Sequence, residues 1–187
     1  MSVAHKWLEQ EPWPTKKLSK EMLEKRIERV ITLTNMGYLG TVNKDGSPIV
    51  SPLEFYAEGL SLYFLPQPKS PKIYAMKRDP RVSLAIANPM GGWACIMGAQ
   101  FFGIAHLLEV DSPEWVHGMK IFKWAGSSFE LGRDLSEPPR TMITRLDPER
   151  IVYTEHLLRK EGYAPRQIWL KDSDEPHVVQ GTNVFQS

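Results

Sequence analysis

Asp45-Gly46 constrains this chain more than any other feature, because it lies between two β-forming runs, Tyr38-Leu39-Gly40-Thr41-Val42 and Ile49-Val50-Ser51-Pro52-Leu53-Glu54-Phe55-Tyr56. An Asp-Gly pair in that setting predicts a hairpin, since glycine accepts the positive φ that a tight turn between twisted strands demands. Ala57-Glu58-Gly59 offers a second turn into Leu60-Ser61-Leu62-Tyr63-Phe64, so the segment predicts a three-stranded antiparallel meander. Pro52 has no N–H to give a ladder and predicts an edge or a bulge in the second strand. Backbone groups left free there are available to a ligand.

The flanks extend the pattern. Ser19 is an N-cap for a helix with Leu23, Ile27, Val30 and Ile31 on one face, ending near Thr34. A short helix over Lys72–Lys77 stops at Asp79-Pro80, and Arg81–Ala87 alternates as a strand. Trp93–Val110 reads as one long strand with Gly98 and Gly103 as bend points. Ser112-Pro113 opens a helix with Trp115, Met119 and Phe122 on one side, Gly126–Arg140 reads as a loop, and Thr141–Leu146 with Arg150–Tyr153 supplies the last strand or strand pair. Consecutive hairpins without crossover helices argue against a doubly wound sheet and for a closed, mainly β antiparallel barrel. The chain divides into an arm (residues 1–17), a barrel domain (18–154) and a tail (155–187). In the tail, Glu155–Lys160 reads as a short helix and Gln167–Leu170 as a brief strand, packing on the barrel or on a partner subunit.

Charge and composition narrow the function. Lys+Arg 23 against Asp+Glu 22 leaves a formal charge of +1, so neither nucleic acid nor an anionic membrane is an expected partner. The most apolar stretch, Trp93–Leu108, is interrupted by Gln100 and His106 and is too short to span a bilayer; with no signal-peptide pattern, a cytoplasmic protein is expected. The single Cys95 excludes an intramolecular disulfide and reads as a small core residue, and His106 as a half-buried structural histidine. No metal-ligand or Ser-His-Asp spacing is present, and no general acid or base can be named.

One corner has chemistry of its own. In Leu65-Pro66-Gln67-Pro68-Lys69-Ser70-Pro71-Lys72 a strand runs into a turn and then a helix start, with Ser70 at the N-cap and Pro71 at the first helical position. The free amides around Lys72, at the positive end of the helix dipole, suit a phosphate.

Several segments in order resemble the pyridoxamine 5′-phosphate oxidase-like superfamily of FMN-binding split β-barrels, from about Leu18 to Tyr153. They are Leu39–Val42 with Asp45-Gly46-Ser47-Pro48, Val50–Leu53, Leu62–Phe64 with Ser70–Lys72, Lys77–Leu84, Gln100–Ala105 and Leu146–Ile151. The resemblance implies a six-stranded antiparallel split barrel and a homodimer with FMN at the subunit interface. It further implies oxidoreductase chemistry on a small molecule. By the same resemblance, Val50, Ser51, Pro52 and Leu53 would lie along the flavin ring, with Leu65 and Pro66 flanking it. Ser70, Pro71 and Lys72 would hold the phosphate, and Gln100 would reach the flavin across the interface. Ser51 stands where the oxidases carry a phosphate-binding arginine and Pro66 where a threonine is common; one missing cation should cost about 1–3 kcal/mol of charge-assisted hydrogen bonding. Their C-terminal Arg-and-Trp substrate signature is absent, Arg166 and Trp169 being spaced differently, so pyridoxamine phosphate oxidation is not implied. Substrate oxidation, nitro-group reduction and quinone-like reduction all stay open. The same barrel could instead carry haem, a deazaflavin or a flavin without turnover, or serve as a ligand-free dimerisation module.

Overall fold

The computed structural model describes residues 13–88, 92, 95–130, 132 and 136–178. Its first helix, α1 (Lys20–Leu33), starts where the Ser19 hydroxyl accepts the Met22 N–H at 3.2 Å, and it turns Leu23, Ile27 and Val30 inward. The predicted meander follows as β1 (Met36–Val42), β2 (Pro48–Glu58) and β3 (Ser61–Phe64). Gly46, at φ +86°, makes the first turn possible. Then come α2 (Pro71–Arg78), β4 (Arg81–Ala87), β5 (Met97–Leu108), α3 (Pro113–Phe122), α4 (Trp124–Glu130) and β6 (Ile143–Glu155). A 3-10 helix (His156–Glu161), β7 (Arg166–Leu170) and β8 (His177–Val178) complete the described chain.

All strand pairs are antiparallel, in the order β3-β2-β1-β4-β5-β6, and pairing of β3 with β6 closes a six-stranded barrel. The long β6 shares one edge between two partners: Thr144–Leu146 pairs with β3, while Arg150–Thr154 pairs with β7. The sheet therefore closes on itself at one end of β6 and runs on as an open flap, β7-β8, at the other. Gly103 sits at the register shift in the β5–β6 ladder, where a Cβ would come within 2.1 Å of the Asp147 carbonyl oxygen. Only glycine allows that close approach, so the predicted bend point is a packing requirement.

The barrel interior holds Leu39, Phe55, Phe64, Leu84, Phe101 and Tyr153, with α1 and α2 adding Leu23, Ile27, Ile73 and Met76. A second cluster forms outside the barrel, where Trp115, Met119 and Phe122 of α3 cover Tyr63, Leu108 and Ile143.

Two expectations need correcting. The stretch from Gly126 begins as helix, because Lys123 takes a left-handed turn at φ 55° and Trp124, packed on the second cluster, restarts the chain as α4. Cys95 is exposed and outside β5; its N–H closes a turn onto Gly92 O at 2.8 Å before the strand begins at Met97. The tail extends the sheet. Its strand β7 joins the sheet, and the Trp169 indole donates to Glu24 of α1 at 2.7 Å. Residues 1–12 of the expected arm lie outside the described residues, whereas Leu18 is buried and the Lys16 carbonyl accepts the Ala164 N–H at 2.9 Å. Among the described residues no helix is long and apolar enough to cross a membrane.

Candidate functional site

The site begins where β2 and β3 part. Phe55 N–H donates to Asn35 O at 2.8 Å, so alternation along the β1–β2 ladder turns the backbone of Leu53, Ser51 and Ile49 toward β1 and that of Glu54, Pro52 and Val50 the other way. On that other side β3 pairs only with Phe55–Glu58, leaving Val50–Glu54 as an open edge. The register of β1 with β2 runs unbroken through Pro52, which settles edge against bulge: its missing N–H falls on the open side, where no ladder bond is lost. Of the four predicted strand residues, Val50 and Pro52 present backbone to the opening. Ser51 and Leu53 commit theirs to β1, and Leu53 packs against the core.

Beyond the Phe55–Phe64 pair the chain leaves β2. Leu65 packs on the second cluster, and Pro66 is buried. A turn follows, with Lys69 at φ 63° and Ser70 N–H bonded to Gln67 O at 3.1 Å. Next, α2 runs from Pro71 to Arg78, whose guanidinium donates to the Val42 carbonyl beside the β1–β2 hairpin. Because Val42 pairs with Pro48 while Phe64 pairs with Phe55, the Leu65–Arg78 segment starts at one end of the open half of β2 and finishes near the other.

The three serine N-caps differ in one respect. Ser19 and Ser112 each accept a backbone N–H of the helix that follows, at 3.2 and 3.1 Å. Ser70 occupies the same position with extended backbone, yet its hydroxyl makes no cap bond and is buried without a partner. A buried hydroxyl left unbonded is costly, by about 1–3 kcal/mol, and an incoming acceptor would relieve it. Lys72, half-buried at the first turn of α2, has no ionic or hydrogen-bonding partner among the described residues. A cation, an orphan hydroxyl and a helix N-terminus together form a donor set that suits a phosphate.

Gln100 lies elsewhere. It pairs with Ala85, which pairs with Tyr38, which pairs with Pro52. Three strand spacings put it about 14 Å along the sheet from the open edge. One chain does not bring Gln100 to the other predicted residues. The face between them is apolar and uncovered: Val50 is 68% exposed and Tyr38 58%, with Met36 and Val42 beside them. A depression of ≈ 560 Å³ crosses that face at Val42, Val50, Ser83 and Phe102, and a cavity of ≈ 270 Å³ opens beside Gln100.

The charged groups near the barrel are mostly matched. Arg81 binds Asp79 at 2.6 Å and holds its carboxyl down to about 2. The Arg150 guanidinium lies 4.2 Å from the centre of the Phe102 ring. Asp147 receives Ser61 Oγ at 2.8 Å and Arg145 Nε at 2.9 Å, with His106 Nε2 3.4 Å away, and His117 meets Glu58 at 2.8 Å. Burial, with Glu58 adding to it, pushes the Tyr63 phenol up. Ser61 bonds to Asp147 and not to His106, so the three do not line up as a Ser-His-Asp relay. Among the described residues no group of His, Cys, Asp and Glu is placed to hold a metal. The arrangement is equipped to bind and orient. Sequence reasoning missed Arg166, which β7 sets beside Gln100's cavity; the alternation of Gln167-Ile168-Trp169-Leu170 was its only signal.

Comparison with known proteins agrees with this fold. The family model described as pyridoxamine 5′-phosphate oxidase matches residues 23–155. Among curated proteins, no sequence matches the chain. Solved structures share the fold at low identity. A haem-binding protein from Mycobacterium smegmatis has a TM-score of 0.60 at 19% identity, over 79% of this chain and 56% of its own length. A haem storage protein from Vibrio cholerae has 0.58 at 22%, over 72% of this chain and 97% of its own. An FAD-binding protein from Mesorhizobium loti has 0.55 at 22%, over 73% and 94%.

Proposed function

Because the chain belongs to the pyridoxamine 5′-phosphate oxidase family, we propose that it is an FMN-dependent oxidoreductase acting on a small molecule as a homodimer. The observation that carries this reading is the buried, unbonded Ser70 hydroxyl beside Lys72 at the α2 N-terminus, in a barrel whose β2 keeps an open edge. Ser70 and Lys72 would take the phosphate, Val50 N–H and the Pro52 carbonyl would face the ring, and Leu65 would border it. When bound, FMN supplies the hydride or electron chemistry, and the protein fixes its position and excludes water. The apolar face carrying Tyr38 and Val50 supports dimerisation, since monomers rarely leave such a patch open. Dimerisation would let Gln100 of one subunit reach the edge of the other, the distance along one sheet being too long.

The visible spectrum of the purified protein, followed by FMN and riboflavin titrations, tests this. FMN should bind more tightly than riboflavin, and Ser70→Ala and Lys72→Gln should both narrow that preference. No flavin bands and no FMN binding at micromolar concentration would refute it. The haem-binding neighbours keep haem as the competing ligand. A Soret band with no response to FMN would favour it.

A further inference from the structure

We infer that the cavity beside Gln100 is a binding pocket for a small carboxylate-bearing molecule, held by Arg166. Its floor exists because the outward positions there are small: Ala87 pairs with Gly98, and Ala85 with Gln100. Smallness at Gly98 is enforced, since a Cβ would lie 2.8 Å from the Ile86 carbonyl oxygen. In the next two strands Thr154 pairs with Gly98 and Arg166 with Thr154, so a hydroxyl and a guanidinium rise directly beside that floor. His156 and the exposed Gln100 amide complete the polar rim.

The charge balance names the ligand class. Among the described residues no Asp or Glu lines the cavity, and the half-buried Arg166 has no ionic or hydrogen-bonding partner. Two other partly buried arginines are matched, Arg26 to Glu155 and Arg145 to Asp147. An arginine fork with no acid of its own suits a planar carboxylate held through two hydrogen bonds. The ≈ 270 Å³ volume lies just below the usual range for drug-sized ligands and admits a single ring or short chain. Gln100 belongs both to this rim and to the residues assigned to the flavin. On that reading, on which this step rests, the carboxylate's owner is the substrate.

Titration of 4-fluorobenzoate, followed by ¹⁹F NMR, tests the pocket apart from the flavin. The wild type should bind it saturably and ignore the neutral 4-fluorobenzamide. Arg166→Gln should weaken binding at least tenfold, and Ala85→Leu, which fills the floor and keeps the guanidinium, should abolish it. FMN affinity is measured on the same samples. Absent 4-fluorobenzoate binding in the wild type, or unchanged binding in Arg166→Gln, overturns the inference whatever FMN does. Loss of FMN but not 4-fluorobenzoate in Arg166→Gln also overturns it, by giving the cation to the cofactor. Saturable, Arg166-dependent 4-fluorobenzoate binding without FMN binding upholds the pocket and removes the flavin reading alone.

Discussion

Arg26 and Glu155 should respond unequally to removal. Arg26 Nη1 lies 2.6 Å from Glu155 Oε2, with the two side chains only 22% and 11% exposed, and the Tyr153 hydroxyl donates to the same oxygen at 2.6 Å. Burial works against the guanidinium's charge, yet the bonds and fields of Glu155 and Glu161 outweigh it and hold its pKa above the ordinary value. The pair fastens α1 to the end of β6 that leads into His156. In Arg26→Met the Glu155 carboxylate loses its cation while staying buried, and removing one partner of a buried pair costs about 3–5 kcal/mol. The retained Tyr153 bond lowers that to about 2–4 kcal/mol. In Glu155→Gln the arginine keeps Glu161 at 3.1 Å, and the amide oxygen still accepts from Tyr153, so the cost should be nearer 1 kcal/mol. At about 2–4 °C per kcal/mol for a domain of this size, Arg26→Met should melt on the order of 10 °C lower and Glu155→Gln about 3 °C lower. The double variant should recover about 1 kcal/mol over Arg26→Met, no buried charge being left unmatched. Urea midpoints at one fixed protein concentration measure all three. Equal costs for the two single variants, or a Glu155→Gln cost above that of Arg26→Met, would show that the buried charge is not what decides.

Other consequences follow from the same geometry. Gly103→Ala should cost more than about 3 kcal/mol, beyond ordinary overpacking, because the obstacle is backbone; Gly126→Ala, with open space around it, should be neutral or stabilising. Urea midpoints equal to wild type for Gly103→Ala would contradict the close approach. Side-chain NMR should find Asp79 titrating at about 2, returning toward ordinary carboxylate values in Arg81→Gln. Since its folded pKa is depressed, the stabilisation it gives is present above the unfolded value and fades as pH falls toward 2. A wild-type midpoint in the usual range would refute this. Tyr38→Glu should give a monomer in sedimentation velocity that melts like wild type but binds FMN at least tenfold more weakly; a monomer with full affinity would place the whole site in one chain.

Much of the barrel was legible because its signals are local. Asp45-Gly46 fixes a turn, Pro52 marks an edge, and Ser19 and Ser112 mark helix starts, all through forces acting within a few residues. The errors came where distant packing decides. Ser127 and Ser128, with Gly126, favour a loop by propensity, but Trp124 has a second cluster to bury into and α4 forms regardless. Cys95 looks like a strand residue until the β5 ladder is seen to begin at Met97. That β7 would join β6 depends on β6 outrunning β3, which no short window of sequence contains.

The candidate site follows from that same inequality of strand lengths. β3 is four residues long and β2 eleven, so β2 must leave an edge unpaired, and the chain emerging from β3 turns through the Ser70 corner into α2. β6 is thirteen residues long, so beyond β3 it must take another partner, and β7 brings Arg166 to Gln100's side of the sheet. Two openings therefore arise from one mismatch, about 14 Å apart along a single sheet. On the readings proposed above one takes a phosphate and the other a carboxylate, and the uncovered apolar face carrying Tyr38 lies between them. A second copy seated on that face by two-fold symmetry would set the open edge of one subunit against the Gln100 side of the other, which no arrangement within one chain can do.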